Sequence, residues 1–591
     1  MLRLTTLVPL GAALLTGCVG DIGGGDPGGK GPTTDPSGFS CDPDAAALTA
    51  TPIRRLARDY YHHAVHEFLS PLDEPTRAAL MEEIATRLDL IPRDVSEHYA
   101  TSDQNVSQDH VDAVFGVAVG LAAEIADDAA PYGEQLMRVC GDGATKAALA
   151  DDVCLTTFIT FYGRKALRRP VTQAEVDDFK AFYAQAVATG VDGLGMLVGR
   201  FIAHPGFYYR FDSEGEVVEG NEGTDAVHAL TKWELASKIT FLFWAGPPTD
   251  ALLDRIEASD ITEDADLEVV LAEVLADPRA ERGILRFYRE WLELDDVAKT
   301  PGTEGNVVAG QAMLAAAGVD ALPVSYREDT IQEVLDLTKH YTLTTEGDFG
   351  DILTSTYSFA RTPELAAIYG VATWGGSAES LVSLPAGERS GLLTRAAFLS
   401  SGAEYTRPII KGEVIRTRVL CEPISPPPPG LDIQPLTHPA DKTTRQAVEE
   451  ATGDAACQSC HVQMNPLGFL SESYDPTGRF RQSELRFADG SGEVVAELPI
   501  DTRATPVIGE NDTTEIVDAV DLGQYIADSG AANVCLVASY FEFANGRPAD
   551  PVTDGCDVLG LRDQLTREGG SIKRVLIESV MQQSFRKRLV K

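Results

Sequence analysis

Three observations on this 591-residue sequence predict a mainly α, multi-domain helical protein with a small late β element. A single hydrophobic core rarely grows past about 250–300 residues, so a chain this long divides. Apolar residues recur at spacings of three and four through most of it, which is the helical period. Strand-like alternation is confined to one stretch near residues 492–507, after the Asp489-Gly490 turn.

The elements follow in chain order. Residues 1–18, MLRLTTLVPLGAALLTGC, run from Arg3 through an apolar core to small residues, the layout of an export signal too short to span a bilayer. Leu15, Thr16, Gly17 and Cys18 resemble the lipobox of bacterial lipoproteins, which implies cleavage before Cys18 and lipidation of its thiol. Several acyl chains anchor stably, because each buried methylene adds about 0.8 kcal/mol. Residues 19–45 are rich in Gly, Pro, Asp and Ser and read as a flexible tether. Gly24 to Lys30 nearly matches a phosphate-binding loop, but Gly31 follows where Ser or Thr is needed and no strand precedes it. An N-terminal helical unit is expected over 46–135, opening with RRLARDYYHHAVHEFL, and a second, with an RRP motif, over 136–215. In the second, Thr172 and Glu175 form a capping-box pattern before Val176, Phe179, Phe182 and Tyr183. A third covers 225–300: LTKWELASKITFLFW ends at Ala-Gly-Pro-Pro, and a helical pair, 265–275 and 280–292, is split by Asp277 and Pro278. The fourth, 320–484, holds a helix over 326–341, a polyproline strap at 426–429 and a cysteine motif; the fifth, 485–591, holds the β element and terminal helices.

Composition narrows the partners. Ninety Asp plus Glu against 49 Lys plus Arg give a net charge of -41, which repels nucleic acid and anionic headgroups alike. The membrane is expected as a partner only through the lipid anchor, with the folded part in the cell envelope, on the periplasmic or surface side of the outer membrane. Outside the cytoplasm disulfides persist. Besides Cys18, Cys457 and Cys460, the chain has Cys41, Cys140, Cys154, Cys421, Cys535 and Cys556. Choosing the shortest loops pairs Cys140 with Cys154 and Cys535 with Cys556, leaving Cys41 with Cys421, one of 15 pairings that six cysteines allow.

The chemistry concentrates in CQSCHVQMNPLGF, residues 457–469, where Cys457, Cys460 and His461 spell C-x-x-C-H. Attachment of a c-type haem needs two thiols one helical turn apart for the vinyl groups and an imidazole for the iron, and this triplet meets that requirement. A disulfide, a redox dithiol or half a zinc site would use the same thiols, and zinc finds no second C-x-x-C downstream. For the opposite face of the iron the candidates are Met581, in the last long helix, and His438, ahead of the motif; Met464 follows His461 by one turn and stays on the proximal side. An iron left open there suits peroxide or oxygen chemistry, and a closed one suits electron transfer to a redox protein partner. His62 and His66, with Glu67 adjacent, have a metal-compatible spacing, although partner-facing histidines explain it as well. There is no G-x-S-x-G and no H-E-x-x-H.

The segments RRLARDYYHHAVHEFL, FYGRKALRRPVTQAEVDDF, ELASKITFLFWAGPPTDALL, RPIIKGEVIRTRVLCEPISPPPPGL with CQSCHVQMNPLGFLSESYDPTGRFR, and YFEFANGRP, in this order, resemble an exported bacterial family built from five short domains of unknown function. These are DUF1592 with the companion domains DUF1587, DUF1595, DUF1588 and DUF1585, and the fourth in order holds a cytochrome-c-like C-x-x-C-H. The resemblance implies haem at Cys457, Cys460 and His461, and carries Asn465, Pro466, Gly468, Phe469, Asp475, Gly478 and Arg481 as motif residues. Where that family often has Asp, this chain has Asn465. Met581 and the His62 and His66 pair fall outside its pattern.

Overall fold

In the computed structural model, residues 37–43, 48, 53–95, 99–212, 215–219, 226–425, 436–509 and 511–590 are described. The signal and lipobox with Cys18, most of the tether and the prolines at 426–429 lie outside them. The described residues form 26 α-helices and nine short strands in four small sheets, a mainly α fold. Among them no helix is long and apolar enough to cross a membrane.

Local signals place most helices where the sequence does. Thr172 and Glu175 close a reciprocal capping box at the start of Gln173–Ala188, and Thr231 and Glu234 do the same for Lys232–Phe243. Asp264–Ala276 and Ala280–Trp291 flank Asp277 and Pro278. Tyr326–Lys339 runs on through one π turn, His340–Thr344. The opening helix is Arg58–Phe68, starting later than the periodicity from residue 53 suggests. Arg54 and Arg55 instead pair as a strand with Arg210 and Tyr209, and the Arg54 guanidinium donates to the Asn545 and Gly546 carbonyls. Those partners lie far away in sequence, so no local pattern reveals them.

The late hairpin joins Ser483–Phe487 to Val494–Pro499, and only the isolated bridge of Ala504 with Ile516 continues beyond Pro499. Three further sheets were not expected. The largest places Ala226–Ala229 between Val217–Glu219 and Lys587–Val590, tying the chain's end to its middle. Strands of two to four residues are too short to show alternation, and their pairing is non-local.

Two large hydrophobic cores form among the described residues. One runs from Leu56 to Tyr208 and takes in Phe241 and Ala245, and centres on Phe68, Tyr162 and Phe201. The other gathers residues from Tyr99 and Leu230 through Phe585. Three disulfides form among the six expected cysteines, but two pairings differ from the short-loop expectation. Cys140 bonds Cys154 as expected, whereas Cys41 bonds Cys556 and Cys421 bonds Cys535. Cys535 and Cys556 sit on separate helices, Asn533–Asn545 and Gly555–Thr566. Ser40 donates to the Pro551 carbonyl at 3.0 Å and so delivers Cys41 to Cys556. Loop length measures only the entropy of the unfolded chain, whereas packing decides which thiols meet.

Candidate functional site: the C-x-x-C-H helix

The motif lies on the helix Ala455–Phe469. At 100° per residue, positions 457, 460 and 461 fall within one ~100° arc, so both thiols and the imidazole share a face. All three side chains are half-buried, and residues around them in the first half of the helix are exposed, including Val462. The second half is buried through Met464, Asn465, Leu467, Gly468 and Phe469.

Two glycines fix that buried half. The helix crosses Pro408–Val414 so closely that a Cβ on Gly468 would stand 1.8 Å from the Pro408 carbonyl oxygen, and one on Gly412 would stand 1.9 Å from that of Met464. Only hydrogen fits at either position. Pro466, inside the helix, has no N–H and its ring crowds the carbonyl one turn back. Arg416, buried, ties down the neighbouring carbonyl: its Nε and Nη2 donate to the Gln463 carbonyl at 3.1 and 3.0 Å, and further bonds reach the Pro506 and Val507 carbonyls. It comes from the π turn Ile415–Val419, directly ahead of Cys421.

A hydrogen-bond chain sets the imidazole. Thr452 Oγ1 donates to the Val448 carbonyl at 2.8 Å, so its lone pair accepts from Asn465 Nδ2 at 2.9 Å. The amide oxygen of Asn465 then faces His461 Nδ1 at 3.0 Å and accepts its proton. With Nδ1 protonated, Nε2 carries the lone pair and is the atom able to bind a metal. A ligating histidine held through its other nitrogen is the usual arrangement around metals. Sequence reading carried Asn465 as a motif residue without this role. The four-residue spacing from His461 could have disclosed the contact, but Thr452, on another segment, left no signal.

Among the described residues Cys457 and Cys460 are free thiols, while the six other cysteines are paired. Cys460 Sγ lies 3.8 Å from the carbonyl of Ser425, the last described residue before the proline run. No group of three or more His, Cys, Asp or Glu side chains that could hold a metal ion occurs among the described residues. Cys457, Cys460 and His461 are the residues that could hold a c-type haem, the thiols through thioethers and the imidazole at the iron.

The remaining candidates lie elsewhere. His438 stacks on Tyr405 at 3.8 Å between ring centroids, and its Nδ1 has no partner. Burial pushes it down to about 4, with Arg486 adding and Glu484 opposing. Glu484 caps Thr444, at the start of the helix Thr444–Ala451, while the His461 chain ends at Thr452 past its other end. His438 also lines a cavity with Val448, whose carbonyl accepts the Thr452 hydroxyl of the His461 chain. Met581 ends the helix Ile572–Met581 and packs on the large core. His62 Nε2 meets the Leu88 carbonyl at 3.2 Å, and Glu67 faces Lys165 and Arg279.

Residues 230–371 match the model of a family described as a protein of unknown function (DUF1592), and residues 389–484 match one described as a protein of unknown function (DUF1588). The second match spans the whole C-x-x-C-H helix. No curated protein and no solved structure matches the chain.

Proposed function

We propose that this member of the DUF1592 and DUF1588 family is an envelope lipoprotein carrying one covalently attached haem c, used for electron transfer or peroxide-linked redox chemistry. The observation that carries the reading is the pair of unpaired thiols, Cys457 and Cys460, sharing a helix face with an imidazole held in the ligand-ready tautomer. Cys457 and Cys460 would hold the porphyrin through thioethers, and His461 Nε2 would bind the iron. The haem would supply a one-electron Fe(III)/Fe(II) couple.

The chain's own contribution is positioning. Asn465 and Thr452 fix the His461 ring and its Nδ1–H tautomer through the Nδ1–H bond. Gly412, Gly468 and Arg416 hold the helix against its neighbour, so the motif is presented from a rigid base. One C-x-x-C-H provides for one haem. Lipidation at Cys18 would keep the site in the envelope, close to membrane redox partners.

The test is expression in an export-competent host with cytochrome maturation machinery, followed by a pyridine haemochrome assay. One haem per chain is expected, lost in Cys457→Ser/Cys460→Ser. A colourless wild-type protein with a Cys457 to Cys460 disulfide would replace this reading with a haem-free scaffold.

A further inference from the structure

Far from the C-x-x-C-H helix, the structure buries an excess of positive charge in a strongly acidic chain. Arg54, Arg168, Arg210, Lys238 and Arg547 lie close enough to feel one another electrostatically; Asp212 is buried among them, and buried Asp554 pairs with Arg547 alone. Burial pushes Lys238 down to about 7, with Arg210, Arg54 and Arg547 adding and Asp212 opposing. Burial and then Arg210 bring Arg168 down to about 9. Three of these cations are spent on carbonyls: Arg54 on Asn545 and Gly546, Arg168 on Gly206, Phe207 and Tyr209, and Lys238 on Phe585. Such bonds satisfy the N–H groups but cancel no charge.

Arg210 differs. Its guanidinium makes no hydrogen bond or ion pair among the described residues and rests only near the Phe241 ring, 5.9 Å from the centroid. It lines a cavity of about 240 Å³ together with Ser237 and His204, where Arg168, Arg169 and Arg210 outnumber the carboxylates Asp212 and Glu234. Ser237 is buried, 7% exposed, and its Oγ has no partner. His204 Nδ1 accepts the Gly206 N–H at 2.9 Å, so the neutral ring carries its proton on Nε2 and is a donor there. Leu167, Phe211 and Trp233 give the same cavity apolar walls. A water takes about 30 Å³ of liquid volume, so a bare oxyanion would leave most of this space empty.

We propose that this cavity binds a small organic acid, with its carboxylate on Arg210, Ser237 and His204 and its apolar body against Trp233, Phe211 and Leu167. The ligand supplies the negative charge that Arg210 lacks, through charge-assisted hydrogen bonds in a partly dry site. The site is independent of the haem reading.

The test is isothermal titration of the full chain with benzoate, its neutral isostere benzamide, and inorganic phosphate. Benzoate is expected to bind at least tenfold more tightly than either. Arg210→Gln should weaken benzoate at least tenfold without affecting benzamide, and Ser237→Ala should weaken it several-fold. Circular dichroism checks folding, and Arg210→Lys, which keeps the charge, serves if the glutamine variant does not fold and should retain most of the affinity. Benzoate failing to bind, matching benzamide, or ignoring both Arg210 and Ser237 substitutions overturns the proposal. Phosphate binding as tightly as benzoate overturns the organic part of it.

Discussion

Replacing Gly468 by alanine tests whether the C-x-x-C-H helix is held by backbone-to-backbone contact. A Cβ there would lie 1.8 Å from the Pro408 oxygen, and 2.5 and 2.8 Å from two further Pro408 backbone atoms. The nearest of these is about 1.6 Å short of the 3.4 Å at which ordinary contact begins. None is a side-chain tip that can swing away, so one helix must slide on the other, and Gly412, with its own 1.9 Å approach to Met464, resists the slide. Overpacking of this kind costs about 1–3 kcal/mol, and two backbones in collision belong at the top of that range or above it. Alanine's better helix propensity returns up to ~1 kcal/mol. A net loss of about 2 kcal/mol is expected, some thirtyfold in the local folding equilibrium. Gly116, inside Gln108–Ala126 with nothing within 4 Å, is the control: Gly116→Ala should gain about 0.5–1 kcal/mol. Urea unfolding followed by circular dichroism should move the midpoint down for Gly468→Ala and leave it level or higher for Gly116→Ala. A Gly468→Ala midpoint at or above wild type would refute the close crossing.

Non-reducing peptide mapping should recover Cys41 linked to Cys556, Cys140 to Cys154 and Cys421 to Cys535; a Cys535 to Cys556 peptide would contradict the packing of the two helices that carry them. Asn465→Leu removes the acceptor of His461 Nδ1–H, so nitrogen NMR of the protein should show the His461 tautomer shifting from Nδ1–H toward a mixture. An unchanged tautomer would remove Asn465 from the site. His438 is held at about 4 against an ordinary 6.5, so the unfolded chain takes up the proton first as pH falls. Its contribution is complete above pH 6.5 and is lost as pH drops toward 4; His438→Phe should flatten the stability profile in that window, and an unaltered profile would refute the burial of its ring.

How much could be read in advance differs from element to element. The helices at Gln173–Ala188 and Lys232–Phe243 announce themselves, because a capping box and the apolar period both act within one or two turns. The strand Ala226–Ala229 gives no such notice, since its partner Lys587–Val590 is the end of the chain. Likewise the shared helix face of Cys457, Cys460 and His461 follows from spacing alone, but the state of those residues does not.

The sequence by itself determined the helical class, the donor set of the motif and the cysteines that form disulfides, because each depends on residue type and short spacing. Tertiary structure alone decided which thiols pair, which His461 nitrogen is presented, and that Arg210 and Ser237 open onto one cavity. Those outcomes depend on Asn465 meeting Thr452, Ser40 meeting Pro551 and Arg54 pairing with Arg210. Such contacts join segments brought together only when apolar surfaces are buried, and no local periodicity encodes them.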